Sequence, residues 1–200
     1  MNELPFASSC ESNKGPILEV LKRVLADRRN VLEFAAGTGQ HATWCAEHMP
    51  HLHWQPTETK INLPVLAPRC DAYGGDNLAA AQILDVSERP WSSDLNADAL
   101  FSANSLHIMP WASVRALFAE LGEWAQPDTT LAVYGPFNYN GEYTSDSNAR
   151  FDIWLAQQHP LSAIRHFEEI DALALAAGFE LKEDNAMPAN NRLLVWHRSG

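Results

Sequence analysis

The chain has few basic residues, few cysteines and no long apolar run. Its 200 residues include 14 Lys and Arg against 25 Asp and Glu, which gives a formal net charge of −11. Because phosphate binding needs a basic surface, nucleic acid is not expected as a partner. Cys10, Cys45 and Cys70 form no CxxC pair and are odd in number. This cysteine usage favours reduced thiols in a cytoplasmic protein.

The chain also lacks signals for secretion, membrane insertion and metal binding. The first residues are polar, without the apolar core of a signal peptide, and no run is long enough to span a membrane. His48, His51 and His53 are not spaced as helical metal ligands, and Pro50 interrupts them, so no metal site is predicted. The ordinary composition, 46% hydrophobic and 20% charged, suits one globular domain over residues 1–200.

The most informative stretch is residues 31–42, where an apolar run is followed by a glycine-rich turn and helix-compatible residues. This order predicts a buried strand, a tight turn and a helix start. Gly37 and Gly39 let the backbone turn sharply and let a ligand approach it. Glu33 ends the apolar run, and a carboxylate there needs a cationic or hydrogen-bonding partner. A ligand with an ammonium group would be such a partner.

The glycine turn alone leaves three interpretations open. It can bind an adenosyl cofactor, or it can be a turn without a ligand. It also fits the dinucleotide pattern Gly-x-Gly-x-x-Ala, with Ala42 last, as in an NAD(P)-dependent oxidoreductase. Glu58 lies about 20 residues after the turn, where a carboxylate commonly accepts from a ribose hydroxyl pair. The alternative for Glu58 is a solvated surface side chain.

Alternating strand and helix patterns continue along the rest of the chain. We predict irregular structure over 1–15 and a helix from Pro16, since proline suits a first helical turn. The segment 135–152 is long, polar and aromatic, as functional lids often are. The other predicted elements are strands at 53–57, 81–84, 97–103, 130–135, 179–184 and 193–197, and helices from Asn62 toward Tyr73, over 111–124, from a Ser147 cap, and over 167–177.

The acidic residue and glycine turn resemble motif I of the Rossmann-like class of S-adenosylmethionine-dependent methyltransferases. Glu33 matches the acid, Gly37 and Gly39 match the second and third glycines, and Ala35 stands at the first. The leading helix and the closing pair of strands are also similar to that class. The resemblance implies an α/β three-layer sandwich, whose seven-stranded, mostly parallel sheet has an antiparallel last strand. It also implies S-adenosyl-L-methionine as the cofactor.

Nearly the whole chain resembles an uncharacterised methyltransferase-like family known as a domain of unknown function. The segments that carry this resemblance are 12–18, 32–41, 54–58, 104–111, 135–137 and 144–152. That family usually has Arg where Ser12 stands here. The resemblance implies cofactor binding by a single domain, and it supplies no substrate.

Several residues are assigned to the cofactor on these grounds. In the resembled class an acid after the third strand accepts from the adenine amino group, and the next backbone N–H meets a ring nitrogen; Asp85 and Val86 match these positions. Asn13 and Lys14 could close over the cofactor from the leading segment, with Lys14 facing its carboxylate; a solvated helix start is the alternative for both. The full predicted set is Asn13, Lys14, Glu33, Ala35, Gly37, Gly39, Glu58, Asp85, Val86 and Asn104.

His107 is the predicted general base, because an imidazole titrates near neutral pH. It can equally orient Asn104 or cap the following helix. Tyr139, Tyr143 and Asp152 are weaker candidates for contacts to the methyl acceptor. We therefore expect a methyltransferase acting on a small molecule, and allow for a homodimer. A non-catalytic S-adenosylmethionine-binding module stays open, because no Asn/Asp-Pro-Pro-Tyr motif follows the fourth strand.

Overall fold

A computed structural model describes residues 3–199 as alternating helices and strands. Its helices are α1 (Ser8–Val24), α2 (Gln40–His48), α3 (Leu63–Asp71), α4 (Trp111–Trp124), α5 (Asp146–Gln158) and α6 (Phe167–Ala176). Its strands are β1 (Asn30–Glu33), β2 (His53–Glu58), β3 (Gln82–Ile83), β4 (Ala99–Ala103), β5 (Thr130–Gly135), β6 (Phe137–Asn138), β7 (Arg165–His166), β8 (Phe179–Met187) and β9 (Asn191–Arg198).

Seven strands form one mixed sheet in the order β3-β2-β1-β4-β5-β9-β8. β1 pairs in parallel with β2 and β4, and β2 pairs in parallel with β3. β9 runs antiparallel to both β5 and β8. The predicted α/β architecture, a mostly parallel seven-stranded sheet with an antiparallel last strand, is confirmed.

The chain divides into two compact units. The first contains Met1–Asp85 and Ser92–Ser102, and the second contains Val86–Trp91 and Ala103–Gly200. That residues 1–200 form one functional domain stays a prediction. No helix among residues 3–199 is both long and apolar enough to cross a membrane.

Each unit has its own apolar core. In the first unit α1 buries one face, because its apolar residues recur at helical spacing. In the second unit α4 buries the apolar stripe that its sequence predicts, and all six residues of β5 are buried. The buried apolar residues are Ile17, Leu18 and Leu21 in α1, and Val114, Leu117, Phe118 and Leu121 in α4.

The predicted start of the first helix is wrong. α1 begins at Ser8, so Pro16 lies inside it, and most of the segment predicted as irregular is helical. Proline costs a helix one backbone hydrogen bond, but tertiary contacts can outweigh that cost. Here Asn13 is buried, and Glu11 accepts a hydrogen bond from Gln40. These contacts hold the first two turns of α1 in place.

Four smaller features also differ from the prediction. α5 is capped by Ser145, whose Oγ accepts from Asn148 N at 3.1 Å, and not by Ser147. Asn62 precedes α3 as predicted, but its side chain makes no cap hydrogen bond. The two-residue strands β6 and β7, which pair in parallel, were too short for a periodic pattern to reveal. β8 also runs further than predicted, to Met187.

Candidate functional site

The turn after β1 has a left-handed backbone at every second residue. The φ angles of Ala35, Gly37 and Gly39 are +54°, +58° and +74°. A Cβ on Gly39 would lie 2.9 Å from Leu66 Cδ1, whereas a Cβ on Gly37 would have no atom of residues 3–199 within 4 Å. A side chain at Gly39 would therefore displace the buried side chain of Leu66. The backbone at Gly37 can be approached by another molecule.

Hydrogen bonds from neighbouring strands fix this turn. Phe34 N donates to Phe101 O at 3.1 Å, and Ala36 N donates to Thr57 O at 3.0 Å. The Ser102 hydroxyl donates to Phe34 O at 2.8 Å. Both sides of the turn are thus held by the carboxyl ends of β2 and β4, the edge at which α/β sheets bind ligands.

Glu33 is a buried carboxyl group with one hydrogen-bond donor. Its side chain is 1% exposed, and Trp54 Nε1 donates to Oε2 at 2.6 Å. Among residues 3–199 no second donor reaches this side chain. Burial raises the pKa of Glu33 to about 8, the Trp54 hydrogen bond opposes this rise, and the charge of Glu58 adds to it. Glu33 therefore holds a proton at neutral pH, and a cation bound nearby would favour release of that proton to solvent.

Glu58 and Asp85 follow the adjacent strands of the same unit. Glu58 is 5% exposed, so the alternative of a solvated surface side chain is wrong. Its Oε2 accepts from Thr59 N at 2.8 Å. Leu84 N donates to Glu58 O at 2.9 Å, and the half-buried Asp85 follows Leu84, two residues beyond β3. The acidic groups at the ends of β1 and β2 and after β3 thus belong to one unit.

Both predicted site residues of α1, Asn13 and Lys14, make contacts within the protein. Asn13 Oδ1 lies 2.7 Å from His41 Nε2, and Lys14 Nζ lies 2.6 Å from Glu11 Oε2 and 4.4 Å from the Trp44 ring. Burial lowers the pKa of His41 to about 4, against the charge of Glu11. Because Asn13 is buried, a solvated helix start is wrong for this residue. A cofactor contact by either residue stays a prediction.

Sequence reasoning missed Gln40, which joins α1 to the glycine turn. Its Oε1 accepts from Ala7 N at 2.6 Å and from Thr38 Oγ1 at 2.9 Å, and its Nε2 donates to Glu11 Oε1 at 2.7 Å. The position of Gln40 could have identified it, because a polar residue at the first position of a helix that follows such a turn faces the turn. Trp54 was also missed as the partner of Glu33, because their contact depends on strand register.

The remaining predicted residues belong to the second unit. Val86 is buried, and Asn104 has a φ of +57° with its N–H donating to Tyr134 O at 2.8 Å. His107 is buried too. Burial lowers its pKa to about 4, the charge of Arg165 adds to this effect, and Asp152 opposes it. The expectation that His107 titrates near neutral pH is therefore wrong, and its role as a base stays a prediction.

The weaker acceptor candidates are also hydrogen-bonded within the second unit. Tyr139 Oη donates to Asp184 Oδ2 at 2.9 Å, and Tyr143 Oη donates to Asp152 Oδ2 at 2.8 Å. Within residues 3–199, no group of three or more His, Cys, Asp or Glu side chains has the spacing of a metal site.

Solved structures of methyltransferases share this fold at low sequence identity. An O-methyltransferase family protein from Burkholderia thailandensis has a TM-score of 0.81 and 16% identity, over 94% of this chain and 56% of that one. Human N-acetylserotonin methyltransferase, solved with S-adenosylmethionine, has a TM-score of 0.74 and 13% identity, over 94% and 55%. An O-methyltransferase family 2 protein from Planctomyces limnophilus, solved with apigenin, has a TM-score of 0.78 and 16% identity, over 96% and 58%.

At these identities the likeness shows the fold. The chain spans a little over half the length of the methyltransferases it matches. A family model described as a protein of unknown function (DUF938) matches residues 4–198. Since this match covers almost the whole chain, the protein belongs to the DUF938 family, and its fold is that of the Rossmann-like methyltransferases.

Proposed function

We propose that the protein is an S-adenosylmethionine-dependent methyltransferase that acts on a small molecule. The observation that carries this proposal is the turn after β1, where the buried Glu33 precedes a backbone that is open at Gly37. The methyltransferase fold of the structural neighbours supports it. The negative charge of the chain and its lack of a basic tract favour a small acceptor over nucleic acid.

The residues of the first unit fit an adenosyl sulfonium cofactor. The open backbone at Gly37 allows close approach, and the carboxyl groups of Glu33, Glu58 and Asp85 would accept from its amine, ribose hydroxyls and adenine amino group. A bound ammonium favours the ionised form of Glu33, whose pKa of about 8 leaves it protonated at neutral pH. We therefore expect cofactor binding to release a proton and to tighten as pH rises toward 8.

The cofactor supplies the activated methyl group, so the protein's task is to bind, align and desolvate. His107 is the candidate base in the second unit. With a pKa of about 4 it is uncharged at neutral pH and can accept a proton, but only as a weak base. Proton removal by His107 is thus expected to contribute less to the rate than alignment does.

A methyl-transfer screen tests the proposal. Purified protein is incubated with metabolite extract and cofactor that is isotopically labelled in its methyl group, and labelled products are compared between wild type and Gly37→Ala. We expect labelled products with wild type and strongly reduced labelling with Gly37→Ala. Equal labelling with both would count against catalysis. Cofactor binding without labelled product would favour a non-catalytic binding module.

A further inference from the structure

Thr38, in the middle of the glycine turn (residues 35–39), is held by two side chains from outside the turn. It lies between Gly37 and Gly39, which both have a positive φ. Arg69 of α3 donates from Nε to Thr38 O at 2.9 Å. Gln40 of α2 accepts with Oε1 from Thr38 Oγ1 at 2.9 Å. The backbone and the side chain of Thr38 are therefore fixed separately.

The same two side chains hold the segment that leads into α1. We call residues 4–7, which precede this helix, the N-terminal strap. Arg69 donates from Nη2 to Pro5 O at 2.6 Å. Gln40 Oε1 also accepts from Ala7 N at 2.6 Å. Each side chain thus bridges the N-terminal strap and the glycine turn, so a displacement of one segment is transmitted to the other.

Arg69 reaches both segments because its side chain lies along the turn. A Cβ on Gly39 would be 3.5 Å from Arg69 Cδ and 3.6 Å from Arg69 Cβ, which is ordinary van der Waals contact. The Nε and Nη2 donors lie on one edge of the planar guanidinium, so the carbonyl groups of Thr38 and Pro5 are held at a fixed spacing. A lysine ammonium on its flexible stem has no such fixed geometry.

The glycine turn makes few backbone hydrogen bonds of its own. Gly39 N donates to Ala36 O at 3.0 Å. Among residues 3–199, the N–H groups of Gly37 and Thr38 donate to no acceptor. These two groups are available to a bound molecule, and the shape of the turn sets their direction. Because glycine restricts the backbone least of all residues, that shape depends on contacts from outside the turn.

We infer that Arg69 is a positioning residue of the proposed cofactor site, which ties the N-terminal strap to Thr38 O and so gives the glycine turn its binding shape before the cofactor arrives. Arg69 acts through Thr38 and does not touch the cofactor. No part of the binding free energy is then needed to order the turn. The inference rests on the proposed function, because that function supplies the ligand.

A positioning residue and a ligand contact differ in their binding kinetics. Loss of preorganisation lowers the fraction of molecules that can bind and so slows association, whereas loss of a direct contact mainly speeds dissociation. Surface plasmon resonance with the immobilised full chain and S-adenosylmethionine measures both rates. We expect Arg69→Leu, which loses two hydrogen bonds, to bind at least about tenfold more weakly through slower association, with an unchanged dissociation rate.

Two further variants make the test specific. Arg69→Lys keeps the charge and the stem without the planar guanidinium, so it should also bind more weakly than wild type. Arg115→Leu is the matched control, because Arg115 is an exposed arginine of α4, and it should bind like wild type. Wild-type affinity in either Arg69 variant, or a loss in Arg69→Leu that lies only in the dissociation rate, would overturn the inference.

Amide hydrogen exchange without cofactor separates this inference from the proposed function. Ala7 N in the N-terminal strap and Gly39 N in the glycine turn are both hydrogen-bonded. In Arg69→Leu both amides should exchange at least about tenfold faster, while the amides of β5 keep their protection. Arg69→Lys serves for the same comparison if Arg69→Leu loses protection throughout.

The two failures give different results. Unchanged exchange at Ala7 and Gly39 would overturn this inference alone, even where wild type binds the cofactor. Absence of cofactor binding by folded wild-type protein would defeat the proposed function, and this inference with it.

Discussion

The buried residue Glu33 couples the stability of the first unit to pH. Its carboxyl group is buried at the end of β1, with Trp54 as its donor, and burial raises its pKa from 4.5 to about 8. Between pH 4.5 and about 8 the native state therefore retains a proton on Glu33 that the unfolded chain has released. Stability from this group is fully present below pH 4.5 and is lost as pH rises toward 8.

We predict that Glu33→Gln removes this pH dependence. One pKa unit corresponds to about 1.4 kcal/mol, so the wild type should lose roughly 4 kcal/mol relative to the variant between pH 5 and 9. Chemical denaturation across this range measures the difference, with Glu47→Gln as an exposed control. Parallel curves for wild type and Glu33→Gln would contradict the assigned pKa.

Ala35 stands where the resembled motif has its first glycine, at a φ of +54°. A left-handed conformation costs an alanine about 1 kcal/mol, and glycine adopts it freely. We predict that Ala35→Gly leaves the free energy of unfolding unchanged or raises it by up to about 1 kcal/mol. Ala36→Gly, at a buried neighbour without a positive φ, should lower it. Equal losses in both variants would show that Ala35 is not strained.

Sequence alone could predict the position of Glu33 but not its partner or its pKa. The acid at the end of an apolar run and the glycines two residues apart are visible in the chain. The contact with Trp54 requires the register of β1 and β2, and the burial of Glu33 requires the whole unit. The same holds for His107, whose environment comes from residues more than 40 positions away.

Among the elements, α4 and β5 were predicted to the residue and α1 was not. The periodic apolar stripe of α4 and the apolar run of β5 can each be recognised in the local sequence. The first turns of α1 carry little apolar periodicity. They depend on Gln40 and His41 of α2, which lie about 30 positions further along the chain. Local pattern therefore could not locate the start of α1.

This dependence leads to a prediction for Asn13. Replacement by Ala leaves His41 Nε2 without its buried partner, which should cost about 1–3 kcal/mol in the free energy of unfolding. Ser12→Ala is the neighbouring control, since Ser12 is exposed and bonds only within α1, to Ser8 O. Denaturant titration of the two variants measures the difference. A loss in Asn13→Ala no greater than in Ser12→Ala would mean that the buried pair does not hold α1.

At the scale of the whole molecule, the fold was more predictable than the chemistry. Alternating strands and helices predict an α/β sheet, and the resemblance to the methyltransferase class predicts the antiparallel last strand that the structure contains. The acceptor cannot be predicted in this way, because the candidate contact residues Tyr139 and Tyr143 lie in the irregular segment between β6 and α5. A cavity lined by Asn138, Asp152 and Arg165 is an example, since the two-residue strands β6 and β7 meet residues of α4, α5 and α6 there.

The central claim is that the turn after β1 binds S-adenosylmethionine, and calorimetric titration of the full chain with this cofactor tests it most directly. Gly37→Ala adds a methyl group that meets no protein atom, and Gly178→Ala introduces a similar positive-φ strain at the end of α6. We predict saturable binding to wild type and Gly178→Ala, binding at least about tenfold weaker to Gly37→Ala, and none of NADH. Absence of binding by folded wild-type protein, or equal affinity in Gly37→Ala, would contradict the claim.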